Sequence, residues 1–176
     1  MNKEYSRENI ERVKSFLEKE LWEYHFIELL SLFEFDVYVA ELNASLHYMI
    51  ETYQNFMTMT VSLPLKHCDS VKESSNSSVY ELANSINREL NIGSFYINPK
   101  ECSVCFKMVH SMKNRLFTEE DIKDDVYYGT SKVQCYARGF ELVNSGVSIQ
   151  DALSACRSRL ISTVYRILIK NGSPSM

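Results

Sequence analysis

The segment His67-Cys68-Asp69 brings three residue types used in nucleophilic catalysis into one short stretch. A thiolate becomes an effective nucleophile when a histidine takes its proton and a third group orients that histidine. Neighbours in sequence seldom meet side chain to side chain in this geometry. The plainer interpretation of the segment is therefore a polar loop.

A second group of candidate residues is acidic: Glu119, Glu120, Asp121, Asp124 and Asp125. Paired carboxylates can exchange protons with a substrate or hold a divalent cation. The same residues open a predicted helix, where negative charge offsets the positive end of the helix dipole. We expect this second role, on a solvated first turn.

These two groups define one alternative function, a small hydrolase or metal-dependent enzyme that uses His67, Cys68 and the carboxylates of Asp121–Asp125. The sequence contains neither standard form of a glycine-rich phosphate loop. We therefore assign no catalytic, cofactor-binding or metal-ligating residue, and we expect a protein that is not an enzyme. The distance from these carboxylates to His67 or Cys68 distinguishes the two functions: an enzyme needs them close together, whereas a non-enzymatic protein does not.

Cys102 and Cys105 have the spacing of half a zinc knuckle. A structural zinc ion needs four ligands, but no second Cys pair is present, and the nearest histidine, His110, offers no paired partner. Residues three apart on a strand also point to opposite faces. We expect ordinary core and sheet cysteines, and the odd total of five favours reduced thiols over a disulfide framework.

The composition is that of an ordinary globular chain, with 45% hydrophobic and 24% charged residues among 176. We predict one domain over residues 1–172 and a frayed C-terminal tail over residues 173–176. The net charge of −4 argues against nucleic-acid binding, which needs dense positive charge. No segment has the pattern of a signal peptide or a membrane span, so we expect a cytoplasmic protein that does not enter a membrane.

Hydrophobic periodicity predicts a helix and then three strands in the first third of the chain. The helix has one apolar stripe, made of Ile10, Val13, Leu17 and Leu21. From Phe33 to Pro64 apolar and polar residues alternate, which is typical of half-buried antiparallel strands. The segment Trp22–Leu32 fits either a longer helix or the start of the sheet.

The rest of the chain predicts a helix, a hairpin and two more helices. Ser78 lies three residues before Glu81, the spacing of a capping box, and Gly93 ends that helix. Strands are predicted at Ser94–Ile97 and Cys102–Val109. The fold class is therefore α+β, an antiparallel sheet of about five strands with helices packed on one face.

This element order resembles the YbjN family, whose fold is like that of type III secretion chaperones. Three segments carry the resemblance: Ser62-Leu63-Pro64 at the end of a strand, the helix Val79–Leu90, and Gly93–Ile97. It extends from Phe33 to Met112. The resemblance implies a role in sensory transduction or stress regulation, or chaperone-like binding of protein segments, with no catalytic residues to carry over.

We expect a protein partner and a homodimer, because a sheet with helices on one side has a second face to cover. The candidate partner-binding surface combines aromatic residues of the strands with basic residues seven apart on the last helix. Its members are Tyr38, Tyr48, Phe56, Arg159 and Arg166. For the two arginines, a solvated helix face is the plainer interpretation.

Overall fold

The structure is a computed structural model that describes residues 7–65, 76–112 and 115–157, with the backbone alone at residues 76 and 77. Five residues named above lie outside the described residues: His67, Cys68, Asp69, Arg159 and Arg166. The predicted tail at residues 173–176 lies outside them as well.

The described residues form six strands and four helices, so the predicted α+β class is confirmed. In chain order the elements are α1 (Arg7–Lys19), β1 (Tyr24–Ile27), β2 (Leu32–Val39), β3 (Ala44–Thr52), β4 (Phe56–Pro64), α2 (Asn76–Asn87), β5 (Ser94–Asn98), β6 (Ser103–Ser111), α3 (Glu119–Asn144) and α4, described over residues 149–157. All neighbouring strands pair antiparallel, in the order β1-β2-β3-β4-β6-β5. None of the described helices is long and apolar enough to cross a membrane.

The ambiguous segment Trp22–Leu32 contains the sixth strand, β1, which a short 3-10 helix at Glu28–Leu30 connects to β2. Helix α1 ends at Lys19, and Leu21 has a positive φ of 57° that turns the chain back toward the sheet. Leu21 is therefore exposed, and its predicted place in the buried stripe of the helix is wrong. The Trp22 ring stacks on Phe35, with ring centroids 5.5 Å apart, and fixes the start of β1.

The predicted start of the central helix, at Val79 after a Ser78 cap, is also wrong by three residues. Helix α2 begins at Asn76, so Ser78 lies inside it and does not cap it. Its end is tied to β5 by Asn87, whose Nδ2 donates to the Phe95 carbonyl at 2.8 Å and whose Oδ1 accepts from the Phe95 N–H at 2.7 Å. Gly93 has a φ of 75°, as expected for the residue that ends this region.

One face of the sheet forms the core. A row of large apolar residues crosses five strands in register: Phe35, Tyr48, Val61, Phe106 and Phe95. All five are buried, and Phe35 stacks on Tyr48 with centroids 4.9 Å apart. Alternation with period two places these residues on the same side of the sheet, so this is the face that a helix layer must cover.

Helix α3 covers this face and approaches it most closely at Gly129. A Cβ atom at position 129 would lie 2.8 Å from Cε of Met59 and 2.9 Å from Cγ2 of Val61. Farther along α3, the rings of Tyr136 and Phe140 each lie 5.5 Å from the Phe95 ring. The glycine therefore marks close packing between the helix and the centre of the sheet.

We predict that Gly129→Ala destabilises the protein by about 1 to 3 kcal/mol. Alanine alone would favour the helix by about 1 kcal/mol over glycine, but Val61 is stiff at χ1 and cannot easily give way to a new methyl group. Urea denaturation measures the change, with Ser131→Ala on the exposed side of α3 as the control. A Gly129→Ala variant as stable as the Ser131→Ala variant would contradict the packing argument.

Candidate functional site

The acidic residues at the start of α3 turn toward different partners. Glu119 accepts a hydrogen bond from Lys19 Nζ at 2.6 Å and another from Ser15 Oγ at 2.9 Å, which joins α3 to α1. These hydrogen bonds hold the pKa of Glu119 below its ordinary value, with the bond from Lys19 the largest cause. Glu119 thus serves to dock two helices.

Asp121 closes the first turn of α3. Its side chain accepts from the Thr118 N–H at 2.8 Å, and its own N–H donates to Thr118 Oγ1 at 3.1 Å, which completes a capping box. Arg115 donates to both carboxylate oxygens, at 2.6 and 2.9 Å. The hydrogen bonds from Arg115 hold the pKa of Asp121 well below its usual range. The expected role of this carboxylate at the helix start is therefore seen in its contacts.

Asp125 turns the other way, toward the sheet. Its Oδ2 lies 2.9 Å from Nδ1 of His110, and the side chain is buried, with 7% of the residue exposed. Burial raises the pKa of Asp125, while the hydrogen bond from His110 acts in the opposite direction. The expectation that this carboxylate lies on a solvated turn is therefore wrong, because strand β6 and helix α3 bring together residues 15 positions apart.

The sequence places the histidine for this contact by strand alternation. His110 shares the core face of β6 with Phe106 and Met108, so it points toward the helix layer. The edge of its ring contacts Phe117, with centroids 5.4 Å apart. The His110 ring is half-buried, and Asp125, one turn after the capping residue Asp121, supplies a hydrogen-bond partner for its Nδ1.

A cavity of about 380 Å³ opens beside this pair. Its volume falls within the range of about 300–1,000 Å³ that is usual for small-ligand pockets. Most of its polar groups are carboxylate or imidazole, and the rest of its surface is apolar. The lining residues are Ile92, Met108, Val109, His110, Ser111, Asp124, Asp125 and Tyr128.

The cavity exists because β5 is shorter than β6. Strand β5 pairs with β6 only as far as Ser94 opposite Lys107. The remaining residues of β6, from Met108 to Ser111, pair with β4 on one side and with no described strand on the other. We call these four residues the open edge of β6.

Asp125 determines which ring nitrogen of His110 can accept a hydrogen bond. When the imidazole is neutral, the carboxylate favours a proton on Nδ1, which leaves the lone pair of Nε2 free to accept. Within the described part of the chain, Nε2 has no hydrogen-bond partner. The hydroxyl of Tyr128, which also lines the cavity, donates to the Ile92 carbonyl at 3.4 Å. His110 can therefore serve at the pocket as a hydrogen-bond acceptor for a ligand. Among the described residues, no nucleophilic side chain is hydrogen-bonded to it.

The predicted aromatic surface is only partly at the surface. Tyr38 is 63% exposed on β2, and Phe56 is half-buried and stacks on Tyr53 with centroids 4.2 Å apart. Tyr48 is fully buried and shares a hydrogen bond with Thr130, and burial raises its pKa to about 12. Assigning Tyr48 to a binding surface is therefore wrong.

The cysteines also differ from expectation. Cys102 is disulfide-bonded, so the expected reduced state of all five cysteines is wrong at this position. Cys105, Cys135 and Cys156 are thiols that do not form disulfide bonds. Cys105 is buried on the face of the sheet opposite the helices, with its Sγ 3.2 Å from Ser62 Oγ. No group of three or more metal-ligating side chains gathers among the described residues.

Comparison with known proteins adds no relative, since no protein-family model and no curated protein matches the chain. The resemblance to the YbjN family stays a prediction. The cavity beside His110 and the open edge of β6 are therefore the features from which a function can be inferred.

We predict that His110 and Asp125 are energetically coupled. A double-mutant cycle with His110→Ala, Asp125→Ala and the double variant should give a coupling free energy of about 1 to 3 kcal/mol, because Asp125 is buried and His110 is half-buried, so each single change leaves a shielded polar group without its partner. The matched control is the pair His47–Asp36, which has almost the same distance, 3.0 Å, but an aspartate side chain that is 67% exposed.

For this control pair the coupling should be close to zero, because solvent screens an exposed ion pair. Chemical denaturation of the two sets of variants provides the free energies of unfolding. Equal coupling in the two pairs would contradict a special role for burial at Asp125.

Proposed function

We propose that the protein is a non-enzymatic module that binds a protein partner, in a regulatory or chaperone-like role. The observation that carries the proposal is the open edge of β6, where four strand residues next to a pocket lack a second described strand neighbour. Such an edge offers N–H and C=O groups to an incoming strand.

A partner segment in extended form would fit this edge by strand addition. Main-chain hydrogen bonds supply affinity in this mode, and pockets for alternate side chains supply specificity. Met108 and His110 face the helix side of the edge, whereas Val109 and Ser111 face the opposite side. A bound strand in line with β5 would place every second side chain over the cavity.

Val109 marks the surface as available. It is 56% exposed, although valine is usually buried in a strand, and it borders the cavity. The separation of the carboxylates supports binding over catalysis, since Glu119, Asp121 and Asp125 each face a different partner group. A hydrolase that used them together would need them in one concave site.

The test is selection from a random-peptide display library on the immobilised protein. We expect selected peptides to slow hydrogen exchange at the backbone amides of Met108–Ser111. Val109→Glu should weaken their binding by at least about tenfold, because it places a desolvated charge at the edge. Tyr38→Glu, the same kind of change on β2, should leave binding unchanged.

Three results would count against this function. They are a library that yields no peptide, peptides that protect another segment, and peptides that lose affinity with Tyr38→Glu but not with Val109→Glu. The last result would move the binding surface from β6 to β2, on the same face of the sheet.

We also propose a homodimer, formed through the sheet face that the described helices leave uncovered. Tyr38, Tyr96 and Val109 are exposed on this face. For location we propose the cytoplasm, supported by the reduced thiol of Cys105, although the disulfide bond at Cys102 points the other way.

Sedimentation equilibrium at micromolar concentration tests the dimer. We expect a mass of about twice the 20.5 kDa of the chain. Tyr38→Asp should shift the mass to that of a folded monomer, because it puts a charge into the interface at a residue that is 63% exposed in the protomer. A wild-type mass of 20.5 kDa would refute the dimer.

A further inference from the structure

Both acidic side chains in the cavity lining beside His110 are aspartates, Asp124 and Asp125. The described lining includes no lysine or arginine. Protonated His110 would neutralise one carboxylate at most, so the lining keeps a negative charge in either state of the imidazole. A ligand carboxylate or phosphate would be repelled, whereas a cation would be attracted.

The other walls are apolar or aromatic. Ile92, Met108 and Val109 provide hydrocarbon surface, and Tyr128 provides a ring. This ring already attracts a cation, since Lys132 Nζ lies 4.9 Å from its centroid without itself lining the cavity. The walls therefore suit a ligand whose positive end is small and whose body is apolar.

His110 adds a hydrogen-bond acceptor. Its Nε2 lone pair can accept from an ammonium N–H once Asp125 has engaged Nδ1. Asp124 is exposed at the mouth, where it can accept a second hydrogen bond without a large desolvation cost. These two acceptors match two of the three donors of a primary ammonium group, and the third donor can bind water.

We propose that this cavity binds a primary ammonium group attached to a short apolar chain. The group can belong to a free organic amine or to a lysine side chain of a bound peptide. The first source is independent of the function proposed above, and the second rests on it.

The experiment uses the full chain and three probes of similar size: phenethylammonium, 2-phenylethanol and phenylacetate. Isothermal titration calorimetry should show phenethylammonium binding at least about tenfold more tightly than the alcohol, and phenylacetate binding most weakly. Shifts of the Ile92 and Val109 methyl resonances in NMR spectra should locate the binding at the cavity. The affinity for Nα-acetyl-lysine methylamide, which mimics a lysine residue within a peptide, tests whether the ammonium group can come from a bound peptide.

Asp124→Asn should lower the affinity for phenethylammonium by at least about threefold and leave the affinity for 2-phenylethanol unchanged. Glu81→Gln removes the same charge from an exposed site on α2 and should change neither affinity. Binding of acetyl-lysine methylamide but not of the free amine would assign the site to a peptide partner.

Four outcomes would overturn the proposal: no binding of either amine, equal affinities for the three probes, an unchanged amine affinity in Asp124→Asn, or methyl shifts away from the cavity. Peptide selection at the open edge of β6 can succeed in each of these cases, so failure here is distinct from failure of the proposed function.

Discussion

The close approach of helix α3 to the centre of the sheet is the contact on which the rest of the structure depends. Gly129 lets the helix backbone come within reach of Met59 and Val61, where any side chain would push it away. This contact aligns the long helix over β4 and β6, the two strands with which it packs most extensively. The positions of residues along α3 relative to β6 follow from that single alignment.

The candidate site is a consequence of this alignment. Because the position of α3 along β6 is fixed, Asp125 contacts His110. Asp121 remains at the start of the helix, where it contacts Arg115. The early end of β5 then leaves the same part of β6 without an outer neighbour. A recognition group, an apolar pocket and an open strand edge thus occupy one place, and this coincidence makes it the best candidate for binding.

Much of the fold could be predicted from local patterns, but the site could not. Alternation from Phe33 to Leu63 predicts the strands because side chains on a sheet repeat every two residues. The same signal could have found the burial of Tyr48, which shares parity with the buried Leu46 and Ile50. The contact between His110 and Asp125 depends on how a helix and a strand pack, and no pattern within either element encodes it.

The tautomer of His110 is the most direct test of this account. Long-range proton–nitrogen NMR correlations at about pH 9, where histidine is ordinarily neutral, report which ring nitrogen carries the proton. The account predicts the proton on Nδ1, held by Asp125, and an unprotonated Nε2 that faces the cavity. A proton on Nε2, or the averaged signal of an exposed histidine, would show that Asp125 does not orient the ring and would contradict the account.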